Sequence, residues 1–195
     1  MKPEPEGLKP ELRTGLLELV RTLDAQGVRY ALVGGLASGF RGRPRFTEDI
    51  DLLLLVPQLK LPGVLEDLKA RGFDLDVIET IREWNQNHTA VLRYHGVQID
   101  WLKPVLPCLQ HTIDRAAEED WLGTKVRIAS PEDLILLKLL ACRPQDVLDI
   151  QGLLSANVGA LDLELVRCEL RDVLPDDDER IVQFEKLVHD HYDQG

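Results

Sequence analysis

Val33-Gly34-Gly35-Leu36-Ala37-Ser38-Gly39 and, after thirteen further residues counted from Gly35, Asp49-Ile50-Asp51-Leu52-Leu53-Leu54-Leu55-Val56 are the two segments on which the reading of this chain turns. The second lacks Gly and Pro and stops at Pro57, so it reads as a buried strand. Strand alternation then puts Asp49 and Asp51 on one face. Two carboxylates that close repel, and one is pushed toward protonation. A bound divalent cation removes that difficulty, and Mg²⁺ favours one or two protein carboxylates with water and substrate phosphate. The alternative is an ordinary solvated strand end. The glycines upstream weigh against it. Tyr30 to Val33 reads as a strand, and Gly34-Gly35 as a tight turn into a short helix from Leu36 to Phe40. Glycines in that place let backbone N–H groups approach a phosphate at the positive helix end. Gly-Gly after a strand also serves as a plain turn.

The run Gly34-Gly35-Leu36-Ala37-Ser38, followed by Arg45-Phe46-Thr47-Glu48-Asp49-Ile50-Asp51-Leu52, resembles the nucleotidyltransferase superfamily with a polymerase beta-like palm. The wording Arg-x-Thr-x-Asp-Ile-Asp is similar to the AbiEii-like, toxin-type members. The resemblance implies transfer of a nucleoside monophosphate from a nucleoside triphosphate, NTP, to a hydroxyl on tRNA or protein. It also implies two Mg²⁺ ions, with Mn²⁺ as an alternative. It further implies a third carboxylate on a later strand, and the matching position is Asp100 in Val97-Gln98-Ile99-Asp100-Trp101-Leu102. Asp74-Leu75-Asp76 is a rival, read as the surface of an edge strand over Phe73 to Ile78. Asp100 ranks first because His88 to Tyr94 and Val97 to Leu102 flank His95-Gly96, a hairpin turn.

Downstream, Ser130 reads as an N-cap, Pro131 as the first helical residue, and Glu132 and Asp133 as first-turn acids. Lys138 then interrupts the apolar run Leu134 to Ala141, where a charge is costly unless it is paired or reaches solvent or ligand. It is either a snorkelling lysine or, as the resemblance implies, a lysine that reaches the nucleotide phosphates. Asp146 and Asp149 share a helix face by their spacing and are expected to hold Lys138 or Arg143. Of the loop arginines, Arg41 is expected to be solvated. Arg45 is the arginine expected to grip phosphate, with Thr47 orienting the loop or touching phosphate. Asp49, Asp51 and Asp100 are thus the candidate metal ligands and catalytic residues, and Gly34, Gly35, Ser38, Arg45, Thr47 and Lys138 the candidate nucleotide contacts.

A chain of 195 residues that is 44% apolar can bury a core. The three cysteines, Cys108, Cys142 and Cys168, are far apart and indicate neither a disulfide framework nor a zinc site. No apolar stretch is long enough to span a membrane, and the first residues lack a signal-peptide core, so the protein is expected to be soluble and cytoplasmic, with no membrane partner. The net charge is −11, of which residues 160 to 195 hold −7. An acidic tail repels nucleic acid at long range, which argues against an extensive nonspecific nucleic-acid surface. The resemblance also extends to antibiotic-resistance enzymes that adenylylate aminoglycosides or lincosamides, and because the acidic tail would suit a cationic antibiotic, an aminoglycoside or lincosamide nucleotidyltransferase is the alternative reading. A nucleotide-binding or interaction module without catalysis is a third. An exposed apolar patch on the last helices would suit a homodimer or a cognate antitoxin.

The expected architecture is α/β (α+β), with a mixed β-sheet lobe over residues 1–128 followed by a helical lobe over 129–195. Helices are expected over Pro10 to Gln26, Gly63 to Arg71, Leu106 to Glu119, Pro131 to Cys142, Gln145 to Ser155, Leu163 to Asp172 and Asp177 to Tyr192. Strand-like Thr124 to Ile128 is expected to close the sheet.

Overall fold

The computed structural model describes residues 8–44, 46–121 and 123–192. Helix α1 (Pro10–Ala25) starts on a proline and places Leu12, Leu16, Leu19, Val20 and Leu23 on one buried stripe, the spacing of an amphipathic helix. Strand β1 (Arg29–Val33) runs into α2 (Gly34–Arg41), and β2 (Asp49–Leu55) follows. Next come α3 (Leu61–Ala70), α4 (Val77–Gln86), the hairpin β3 (Thr89–Tyr94) and β4 (Val97–Leu102), α5 (Pro107–Arg115), and the hairpin β5 (Ala117–Trp121) and β6 (Thr124–Ile128). Four helices end the described chain: α6 (Pro131–Ala141), α7 (Asp146–Ala156), α8 (Leu163–Val173) and α9 (Glu179–Tyr192). No helix among the described residues is long and apolar enough to cross a membrane.

The sheet has the order β3-β4-β2-β1-β6-β5. The β2–β4 and β1–β6 pairs are parallel and the others antiparallel, so the sheet is mixed. Its two faces have opposite fates. Ile50, Leu52, Leu92, Ile99 and Trp101 are buried on one face, where Tyr94 abuts α1 at Gly15 and Trp101 meets Trp84 of α4 edge to face. Asp49, Asp51, Gln98, Asp100, Val91 and Arg93 occupy the other. That face is only partly covered: α2 packs against β1 and β2, and α6 and α7 pack against α2. Strand alternation therefore converts the sequence pattern directly into a packed side and a chemical side.

Helix α6 is apolar nearly all round because it lies inside the fold, packed against α2, α7, α8 and α9. Ser130 caps it by accepting a hydrogen bond from the Asp133 N–H at 3.1 Å, and it stops at Cys142, whose φ is 51°.

Three expectations need correction. Phe73 to Ile78 is not a strand: Asp74 makes one isolated bridge to Arg93, and Asp76 caps α4 by accepting from the Glu79 N–H at 2.8 Å. The helix expected over Leu106 to Glu119 ends at Arg115, and Ala117–Trp121 is strand β5. Its residues are good helix formers, but the turn in which the Gly123 N–H bonds the Asp120 carboxylate and the β6 ladder override that preference. Strand β6 therefore does not close the sheet; β5 lies outside it.

Candidate active site

The parallel β2–β4 register sets Asp49 beside Gln98 and Asp51 beside Asp100. These side chains stand at the start of β2, next to the junction of β1 with α2, because Val33 pairs with Asp51 across the antiparallel ladder. Gly34 has a φ of +67°, and a Cβ added to it would fall 1.8 Å from Oδ2 of Asp51. The Asp51 carboxylate fills the space that any other residue would claim. Gly34 thus meets two demands, a left-handed backbone and a vacant side-chain position.

A cleft of about 440 Å³ opens between this edge of the sheet and α6, lined by Gly34, Asp51, Asp100, Leu137, Lys138 and Arg143 among others. Its electrostatics are unbalanced. Burial pushes the Asp51 carboxyl up to about 6, with Asp100 and then Asp49 adding to the effect against the opposing pull of Lys138 and Arg143. Asp49 is raised too, by desolvation first and then by Asp100 and Glu48, with Arg93 opposing. Hard carboxylate oxygens gathered at the cost of such repulsion fit a hard divalent cation. Among the described residues, no three His, Cys, Asp or Glu side chains form a ready-made metal cage. Asp51 lies against Gly34, while both oxygens of Asp100 accept from Nε2 of Gln98 at 3.0 Å.

Lys138 lines the cleft, yet its side chain is only 3% exposed. Its ammonium donates to Asp149 at 2.5 Å and lies 3.1 Å from Asp146. Asp146 also accepts from Nε and the backbone N–H of Arg143, both at 3.0 Å. Burial works to raise Asp146, but these donors outweigh it and hold its carboxyl below the usual range. Arg143, with its side chain 54% exposed, is therefore the cation that the cleft offers to solvent.

The other sequence candidates fall in several places. Gly35 is buried inside α2. The Ser38 hydroxyl is turned back onto the Gly34 carbonyl at 2.8 Å, and its residue borders a second cavity of about 510 Å³ shared with Arg43, Asp149 and His191. Thr47 is half-buried in the segment before β2. Arg45 lies outside the described residues. Arg41, expected in solvent, is a structural strut: it donates to the Ala129 and Ile128 carbonyls and pairs with Glu119 at 2.5 Å. Gln98, Arg93 and Arg143 are additions to the sequence-based set. Alternation along the β3–β4 hairpin would have found the first two, and the Arg143-x-x-Asp146 spacing the third.

Comparison with known proteins agrees with this fold. A tobramycin-related complex, ANT(2")-Ia with adenylyl-2"-tobramycin, is similar with a TM-score of 0.60 at 19% identity, over 82% of this chain and 97% of that one. The lincomycin-bound lincosamide adenylyltransferase LnuA is similar with a TM-score of 0.53 at 18% identity, over 73% and 96%. An antigenic nucleotidyltransferase-like protein from Paracoccidioides brasiliensis gives 0.51 at 23% identity, over 88% and 92%. No curated protein sequence matches significantly. The family described as "Nucleotidyl transferase AbiEii toxin, Type IV TA system" matches residues 18–191. With that match spanning nearly the whole sequence, the chain belongs to the AbiEii nucleotidyl transferase family and is a nucleotidyltransferase.

Proposed function

We propose that the protein transfers a nucleoside monophosphate from an NTP to a hydroxyl of a tRNA or a protein, as the toxin of a toxin–antitoxin pair with a cognate antitoxin as partner. The observation that carries the catalytic part is the register of β2 and β4, which sets Asp51 beside Asp100 with Asp49 two residues away on the same face. The oxygens of Asp49, Asp51 and Asp100 would hold two divalent cations, Mg²⁺ or Mn²⁺, which when bound offset triphosphate charge and acidify a hydroxyl. The acceptor oxygen bonds to the α-phosphorus as the bond from that phosphorus to the bridging oxygen breaks. Pyrophosphate leaves with the electron pair, and the hydroxyl proton passes to Asp100.

The first-turn N–H groups of α2, at Gly34 and Gly35, face the place where phosphate charge develops. Arg143 adds a guanidinium from the opposite wall. Lys138 acts from its seat between Asp146 and Asp149, lowering the cost of the Asp51 charge. In this reading the sheet lobe, 1–128, supplies the carboxylates and the helical lobe, 129–195, supplies the cations. The acceptor assignment to tRNA or protein rests on the family. A second reading, a small cationic antibiotic as acceptor, draws on the net charge of −11 and on the fold shared with ANT(2")-Ia.

The test uses each α-labelled NTP with Mg²⁺ and a whole-cell extract, for the wild type and for Asp49→Ala/Asp51→Ala. Label entering tRNA or a protein band with the wild type alone is the expected result. Label appearing only when an aminoglycoside or lincosamide is added moves the assignment to the second reading. Transfer that survives the double substitution overturns the carboxylate mechanism.

A further inference from the structure

Gln98 is the neutral member of an otherwise charged group. It stands beside Asp49 on β2, opposite Arg93 on β3, and two residues before Asp100 on its own strand. Its side chain is half-buried, and its Nε2 lies 3.0 Å from both Oδ1 and Oδ2 of Asp100. Equal distances to the two oxygens mean that one amide nitrogen supports both, while each oxygen keeps a further lone pair for another partner. An amide donor there attracts the carboxylate without adding charge. A carboxylate in the same place would be a fourth negative group beside Asp49, Asp51 and Asp100, and an apolar residue would leave Asp100 free to rotate.

We infer that Gln98 is a positioning residue that holds the Asp100 carboxylate in place for the divalent cation and the acceptor hydroxyl. This rests on the carboxylate reading given above. The physical need is specific to Asp100. Asp51 packs into the space beside Gly34, and Asp49 is next to Glu48 and Arg93, whereas Asp100 has Gln98 as its hydrogen-bonded support. A carboxylate's orientation is set by such outer partners, whose loss typically costs roughly 10- to 100-fold in metal affinity or activity.

The test compares wild type, Gln98→Leu, Gln98→Asn and Asp100→Asn by Mn²⁺ titration, read by electron paramagnetic resonance, in the presence of a non-hydrolysable NTP analogue. Thermal unfolding and kcat and KM for NTP are measured in parallel. Gln98→Leu removes the donor, and Gln98→Asn keeps an amide on a side chain one methylene too short to span to Asp100. Both are expected to weaken Mn²⁺ binding by about tenfold and to lower kcat by a similar factor, with the KM for NTP within about twofold and unfolding temperatures close to wild type. Gln98→Asn guards against a folding defect in the apolar variant. Unchanged Mn²⁺ affinity and kcat in both Gln98 variants, while Asp100→Asn loses both, overturns the role of Gln98 and leaves the carboxylate reading standing. A wild type that binds no Mn²⁺, or an Asp100→Asn variant that binds and transfers normally, overturns the carboxylate reading itself.

Discussion

Two charge clusters flank the two ends of α6, one tied into a closed hydrogen-bonded network and one left open to a cleft. At its N-terminal end, Asp133 is 1% exposed and accepts from Nε and Nη2 of Arg115, from the Thr112 hydroxyl at 3.2 Å and from the Ser130 hydroxyl at 2.8 Å. Arg115 also reaches Glu169 at 2.8 Å, and His111 leans on the same carboxylate. That cluster ties α5, α6 and α8 together, and Asp133 holds the guanidinium above its ordinary pKa. At the C-terminal end, Lys138 is engaged by Asp146 and Asp149. Asp51 and Asp100 line the cleft and Asp49 lies beside them in an adjoining exposed pocket with Glu48 and Arg93, and burial, followed by their mutual repulsion, raises both Asp49 and Asp51. The first arrangement is what a protein does with buried charge for the sake of its fold. On the proposed function, the second would be tolerated because bound divalent cations bring positive charge to the carboxylates, at a place where function takes precedence over stability.

Breaking the networked cluster gives the largest stability effect. Arg115→Met leaves Asp133 and Glu169 buried without a cation, and a loss of about 3–5 kcal/mol is expected. Urea unfolding measures it, and transfer per folded molecule should stay near wild type. The cleft end responds in the opposite sense: Arg143→Ala should cost much less stability than Arg115→Met, because Lys138 and the backbone N–H of residue 143 still hold Asp146, but should raise the KM for NTP by about tenfold, close to 1.4 kcal/mol. Steady-state kinetics with varied NTP reads that split. The smallest effect belongs to an exposed pair outside both clusters. Arg82 and Glu79 meet at 2.6 Å with more than half of each side chain in solvent, and Arg82→Ala should cost no more than about 0.5 kcal/mol.

How much of this was legible in the sequence follows the same division. The strand at Asp49, the glycine turn and the cap at Ser130 are local signals, and the structure has β2, the α2 entry and α6 where they pointed. The short element β5 was not legible, because its identity depends on pairing with β6 and on the Asp120 turn, while Ala117, Glu118 and Glu119 by themselves favour a helix. Asp76 was misread for a related reason. One Asp-x-Asp looks like another until the chain shows that its second carboxylate caps a helix. Of the candidate site, the carboxylate positions came from alternation and resemblance. The engagement of Lys138 by Asp146 and Asp149 was expected from their shared helix face, whereas the strut at Arg41 and the clasp of Gln98 on Asp100 are contacts between side chains whose distances no spacing rule encodes.

The account claims that Asp51 is kept in an unfavourable place for the sake of chemistry, and its stability against pH tests that most directly. The folded-state pKa of about 6 lies above the ordinary 3.8, so the folded protein holds this proton more tightly than the unfolded chain. Wild-type stability therefore falls as pH rises from about 4 to 6 and stays reduced above that range. Asp51→Asn carries no charge to penalise. Urea unfolding of both proteins, without added metal, at pH 4 and pH 8 should find the variant more stable than wild type by about 2–3 kcal/mol at pH 8. The gap should largely close at pH 4, and NTP transfer should be lost. A variant less stable than wild type at pH 8, or one that still transfers nucleotide at the wild-type rate, would contradict the account.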